Sequence, residues 1–156
     1  MIGYGAEDEH FVAELTYNYE IRTYEPGNIH LASLIKSDEV FEMASKIDGS
    51  TKTESKVTLT SPCGYNFEVT KGNQGQAVCG VRLASSDLAR TKAFWCGLAK
   101  LTASEDQDKL TLNYPDRQIW MEFEKVDEIK PAGNYGRTAI AWPTDGLRQI
   151  EAEVFR

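Results

Sequence analysis

Glu14, Glu68 and Glu122 recur at a fixed step of 54 residues. Each sits in a short stretch that is otherwise largely apolar: Phe11-Val12-Ala13-Glu14-Leu15-Thr16, Tyr65-Asn66-Phe67-Glu68-Val69-Thr70 and Ile119-Trp120-Met121-Glu122-Phe123-Glu124. A carboxylate on an apolar strand is costly to bury unless a charged partner or a metal ion compensates it. A fixed period of this size marks a repeated structural unit, and strands with inward carboxylates predict a pocket. The alternative is that each glutamate is a solvated, outward residue of a half-buried strand.

The elements that must position these carboxylates follow from local patterning. Phe11 to Tyr17 alternates, with Phe11, Ala13, Leu15 and Tyr17 on one face and Val12, Glu14 and Thr16 on the other. A turn at Glu25-Pro26-Gly27-Asn28 leads to a strand over 29–35. Ser37-Asp38 reads as a helix N-terminus, with Val40, Phe41, Ala44 and Ile47 at helical spacing and Gly49 as the stop. β-rich residues fill 51–60, and Ser61-Pro62-Cys63-Gly64 turns the chain into the Glu68 strand. Lys71-Gly72-Asn73-Gln74-Gly75-Gln76 reads as a polar linker.

The pattern then restarts. A strand covers 77–84, and Ser85-Ser86-Asp87 caps a helix carrying Leu88, Phe94, Trp95 and Leu98. A strand over 110–114, a turn at Pro115-Asp116-Arg117 and the Glu122 strand follow. After a break at 129–134 come a strand over 137–142 and a helix opening at Thr144-Asp145-Gly146, with Leu147, Ile150 and Val154 along it. The unit is β-α-β-β-β and the fold class α+β. Residues 1–27 read as the closing strands of one unit, 28–74 and 75–130 as two whole units, and 131–156 as the opening strand and helix of another.

Composition excludes several function classes. The chain has 156 residues, 41% of them apolar, with three Trp, seven Tyr and six Phe, enough for a real core. A net charge of −7 with no basic stripe argues against a nucleic-acid partner. No apolar run approaches membrane-spanning length, and no secretory signal is read in the first residues. Cys63, Cys79 and Cys96 are odd in number, widely spaced and without a Cys-x-x-Cys pattern, which predicts reduced thiols in an intracellular protein, cytoplasmic or mitochondrial.

Glu14-Leu15-Thr16-Tyr17-Asn18, preceded by Gly3-Tyr4-Gly5-Ala6-Glu7-Asp8 and followed by Tyr24-Glu25-Pro26-Gly27-Asn28, resembles the end of the first module of lactoylglutathione lyases (glyoxalase I). Those enzymes belong to the vicinal oxygen chelate superfamily, built from βαβββ modules. Cys63-Gly64-Tyr65-Asn66-Phe67-Glu68-Val69 is similar to the closing strand of their second module. Ser86-Asp87-Leu88, Phe94-Trp95-Cys96 and Tyr135-Gly136-Arg137 look most like the glyoxalase domain-containing protein 4 family. The resemblance covers nearly the whole chain. Against that family the chain begins late in the first module and ends inside the fourth.

The resemblance implies curled mixed sheets with helices on the outer side. In metal-dependent relatives two histidines and two glutamates on the inner face hold one divalent ion, zinc or nickel among others. The metal polarises the substrate oxygens, and a carboxylate moves a proton between adjacent carbons. The lyase substrate is the hemithioacetal of methylglyoxal and glutathione.

Carried onto this chain, Glu14 and Glu68 fall on the two glutamate positions, as metal ligands and one of them as the catalytic base. His30 is a third ligand if it shares a face with Ala32 and Leu34; one residue off, it faces the core or an edge. His10 reads as a surface residue. Asn18 matches a position that contacts glutathione, or closes an Asx turn. Glu122 occupies a further glutamate slot, but its histidine slots hold Gly80 and Arg137, and arginine cannot ligate a metal. A Glu122–Arg137 ion pair is therefore expected, or an Arg137 that binds a ligand carboxylate or phosphate.

Two functions stay open. One is a glyoxalase I-like, metal-dependent isomerase of the glutathione adduct, serving methylglyoxal detoxification. The other is an inactive, metal-free binding or protein-interaction module of the same fold. The missing first histidine counts against activity of the chain alone, and pairing with a second chain, as a homodimer, could complete a site in trans.

Overall fold

The computed structural model describes residues 2–3, 5–7, 9–15, 19–23, 25, 27–114, 118–131 and 144–154. Strands β1 (Ile2–Gly3) and β2 (Val12–Ala13) form a small antiparallel pair. The first full unit is β3 (His30–Ser37), α1 (Asp38–Ala44), β4 (Thr51–Lys52), β5 (Lys56–Thr60) and β6 (Asn66–Thr70). The second is β7 (Asn73–Ser85), α2 (Leu88–Gly97), β8 (Thr102–Asp106), β9 (Lys109–Asn113) and β10 (Trp120–Lys125). Helix α3 (Thr144–Val154) follows. Among the described residues no helix is long and apolar enough to cross a membrane.

The two units build one open, eight-stranded mixed sheet in the order β4-β5-β6-β3-β7-β10-β9-β8. Within each unit the first strand lies parallel to the last, β3 beside β6 and β7 beside β10. A parallel pair cannot be closed by a hairpin, so the intervening helix and strands make the crossover. The units meet at an antiparallel seam between β3 and β7. This is the α+β, repeated βαβββ architecture that the sequence predicts.

Helices α1 and α2 are capped from the sequence. The Ser37 hydroxyl accepts from the Val40 N–H at 3.2 Å, and the Asp87 carboxylate from the Arg90 N–H at 2.9 Å. Each satisfies a donor that the first helical turn leaves open. Helix α1 ends earlier than its apolar spacing predicts. The Ser45 hydroxyl bonds back to the Phe41 carbonyl, Ile47 lies beyond the helix and exposed, and Gly49 turns with φ +82°.

Alternation splits the sheet's residues between two faces. On the helix side of the first unit, Phe41 and Ala44 pack on Val57 and Val69. On that of the second, Leu88, Trp95 and Cys96 pack against Val81, Leu110, Leu112, Met121 and Phe123. Ala32, Leu34 and Cys79 form a separate buried cluster, with the partly buried Trp120 packed against it. The residues read as a linker behave differently from expectation: Asn73 already opens β7, opposite Ser37, so the seam strand runs for 13 residues.

Candidate functional site

Strand register brings the acidic residues of the two units toward one place. Glu68 on β6 lies opposite Leu34 on β3, and Glu122 on β10 lies opposite Arg82 on β7. Across the seam, Arg82 faces Ala32 and Gly80 faces Leu34. All of these residues alternate with the helix-side residues Val69, Val81, Met121 and Phe123, so they share the face away from the helices. The small side chain at Ala32 lies between Arg82 and the Glu68 strand.

Arg82 joins the two glutamates. Its Nη1 donates to Glu68 Oε1 at 2.6 Å, and its Nε and Nη2 lie 2.8 and 2.7 Å from Glu122 Oε2. The indole N–H of Trp120 donates to Glu122 Oε1 at 3.1 Å. Lys56 stands 3.4 Å from Glu68 Oε2 on the outer side, and Lys109 lies 3.5 Å from Glu124. The side chains of Arg82 and Glu68 are each 13% exposed, and that of Glu122 is 19% exposed. Burial pushes the Glu68 carboxyl up, but hydrogen bonds and charge from Arg82 and Lys56 outweigh it and hold the group below its ordinary value. Burial works to lower the Arg82 value, and the bonds to Glu68 and Glu122 raise it, so the guanidinium stays charged.

The backbone at Gly80 is crowded. A Cβ there would fall 2.2 Å from the Trp120 carbonyl oxygen. Only glycine lets β10 come this close to β7 at the end of the face where Trp120 sits.

The residues present do not fit a divalent ion. Among the described residues Glu68, Glu122 and Glu124 are the carboxylates around Arg82 on this face, and the permanently charged guanidinium already stands between the first two and 3.9 Å from the third. Among the described residues no group of three or more His, Cys, Asp and Glu side chains is arranged to hold a metal. The set Glu14, Glu68 and His30 is therefore not brought together as a ligand group.

His30 sits elsewhere for a specific reason. A register shift between His30 and Ala32 breaks the alternation of β3, so His30 loses the face of Ala32 and Leu34. Its Nε2 lies 3.3 Å from the hydroxyl of Ser33, which faces Val81, and its ring meets Tyr65 edge to face at 5.5 Å. Burial lowers its pKa despite an opposing backbone hydrogen bond. Glu14 follows the two-residue strand β2 and is exposed, as is Leu15, so the longer alternating strand expected there is not formed over the described residues. His10 is partly exposed, its Nδ1 3.2 Å from the Ala6 carbonyl. Asn18 and Arg137 lie outside the described residues. Among the described residues the cation on Glu122 is Arg82, and the expected Glu122–Arg137 pair falls outside them.

Arg82, Lys56 and Trp120 are the members of the cluster that the sequence reading passed over. The signal for Arg82 was present, since it stands two residues after Gly80 and so shares its face. Two open clefts of about 230 and 310 Å³ lie on the helix side, one beside Ile47, Leu59 and Phe67, the other beside Asp87, Arg90, Phe94 and Trp95. Neither includes Glu68, Arg82 or Glu122.

Comparison with known proteins places this geometry. Residues 87–156 match the family described as glyoxalase domain-containing protein 4-like, C-terminal domain. The chain is 35% identical over 156 residues to "Glyoxalase 1" of Caenorhabditis elegans, covering 99% of this chain and 56% of that protein. It is 32% identical over 159 residues to glyoxalase domain-containing protein 4 of Mus musculus, covering 97% of this chain and 53% of that one. The chain thus spans about half the length of these relatives. The crystal structure of glyoxalase I from Zea mays superposes with a TM-score of 0.76 at 22% identity, over 98% of this chain and 64% of that one, a likeness of fold.

Proposed function

The chain belongs to the glyoxalase (vicinal oxygen chelate) superfamily, close to glyoxalase domain-containing protein 4, and from that premise we propose that it is a metal-free binding module of this fold, without lyase activity of its own. One observation carries the reading: both carboxylates are already paired from within the chain, by Arg82 between Glu68 and Glu122 and by Lys56 on Glu68. A general base for a carbon acid works best with a pKa near the operating pH. Glu68 is displaced the other way, and its two oxygens are committed to Arg82 and Lys56.

A second reading draws on the relative named Glyoxalase 1. Under it, the whole protein isomerises the methylglyoxal–glutathione hemithioacetal, at a divalent-metal site completed by residues outside this cluster or by a second copy of the chain. The discriminating experiment titrates the chain with zinc and with nickel by calorimetry, and assays S-lactoylglutathione formation from methylglyoxal and glutathione alongside. The binding-module reading expects no stoichiometric metal uptake and no product above the uncatalysed rate. Metal-dependent product formation, lost on Glu68→Gln, would overturn it.

A further inference from the structure

Two carboxylates from different βαβββ units meet on one largely buried face. Left alone they would repel, and Lys56, 3.4 Å from Oε2 of Glu68, pairs with one of them only. Something positive must therefore stand between them in the folded chain. We propose that the Arg82 guanidinium is a built-in counter-cation that takes the place of a bound ion, so that the face closes without a metal. This deepens the metal-free reading above and rests on it.

The geometry is specific to a guanidinium. Nη1 serves the first unit through Glu68, while Nε and Nη2 serve the second through Glu122, so one planar group spans the seam. A lysine in the same place would offer a point charge without two separated edges. Ala32, directly opposite Arg82, adds little bulk between the guanidinium and Glu68. Trp120 donates to the other oxygen of Glu122, which gives both oxygens of that carboxylate a partner from this chain's own groups. The demand for positive charge is set by Glu68 and Glu122, and it persists when Arg82 is removed. A divalent ion from solution can then meet it.

The test compares the wild-type chain with Arg82→Ala and Arg82→Gln, each also in combination with Glu68→Gln. Calorimetry with zinc and with nickel is read beside thermal melting with and without the metal. The expected result is a silent wild type, and Arg82 variants that take up about one ion per chain in the micromolar range and melt higher when it is present. Both effects should disappear once Glu68→Gln is added. A variant that folds only when metal is supplied also supports the proposal. A silent wild type beside a folded, silent Arg82→Gln chain overturns the assignment to Arg82 and leaves the metal-free reading standing. Variants that stay unfolded with metal as well as without it overturn it too, because an external cation then does not substitute. Metal uptake by the wild type that is lost on Glu68→Gln refutes the metal-free reading itself.

Discussion

Arg82 Nη1 lies 2.6 Å from Glu68 Oε1, although the two residues belong to different βαβββ units. Their strands are not neighbours, since β3 runs between β6 and β7. The bond therefore crosses a whole strand and ties the halves of the sheet together on the face away from the helices. The same guanidinium also holds Glu122 within its own unit. What the backbone achieves at the β3–β7 seam, this side chain repeats above it.

Arg82→Met keeps an unbranched apolar stem, shorter than that of arginine, and removes the charge. It leaves Glu68 and Glu122 facing each other with no cation between them. Breaking one partner of a buried pair costs roughly 3–5 kcal/mol, and partial exposure places this case at the low end. Urea unfolding should show that loss. Arg82→Met combined with Glu68→Leu and Glu122→Leu should recover most of it, because replacing a whole buried ion group by apolar residues is often close to neutral. A single Arg82→Met variant as stable as wild type would mean that the bridge is absent in solution.

Acid should weaken the fold through Glu68. Its carboxyl is held below its ordinary value of 4.5, with burial opposing and Arg82 and Lys56 prevailing. A depressed carboxylate stabilises the folded chain above its unfolded pKa, and that contribution is lost as pH falls through the folded value. The urea midpoint of the wild type should therefore drop below about pH 4.5, in part through this group. Glu68→Gln, being uncharged, should show a shallower fall over the same window. Parallel profiles for the two proteins would contradict the assignment.

The repeat was legible because it rests on local signals. Ser37 and Asp87 marked the helix starts, and the 54-residue step put Glu68 and Glu122 in equivalent strands. The face of Arg82 follows from its spacing to Gly80, but its partners were not legible, because they depend on pairing between distant strands. Nothing near position 82 states that β7 lies parallel to β10 with Arg82 opposite Glu122. His30 shows the other limit. One register shift before Ala32 moves its ring to Ser33 and Tyr65, and period-two patterning carries no trace of such a shift. The polar, glycine-rich run 71–76 reads as a linker, yet from Asn73 onward its backbone belongs to β7.

Gly80 and Gly97 should respond to alanine in opposite ways. At Gly80 the new methyl group meets the Trp120 carbonyl oxygen at 2.2 Å, and a backbone atom in a central strand pair cannot move aside freely. Overpacking of this kind costs about 1–3 kcal/mol. At Gly97, in α2, nothing lies within 4 Å of the added atom, so Gly97→Ala should be neutral or stabilise by up to about 1 kcal/mol through helix propensity. Thermal melts of the two variants should move in opposite directions or, for Gly97→Ala, not at all. An unchanged melt for Gly80→Ala would show that the Trp120 carbonyl does not crowd position 80.

The seam itself can be monitored through its cysteine. Cys79 is 1% exposed, its thiol donates to the Leu34 carbonyl at 3.4 Å, and burial pushes its pKa up to about 12. Cys63 is exposed. Thiolate is the reacting species, so iodoacetamide at neutral pH should label Cys63 first and reach Cys79 only when β3 and β7 separate. The labelling rate of Cys79 then reports the free energy of that opening. If Arg82 ties the two units, Arg82→Met should raise the Cys79 rate by the factor that its stability loss predicts, and leave the Cys63 rate alone. Peptide mass spectrometry after timed labelling separates the two sites. An accelerated Cys63 with an unchanged Cys79 would place the strain of the substitution away from the seam.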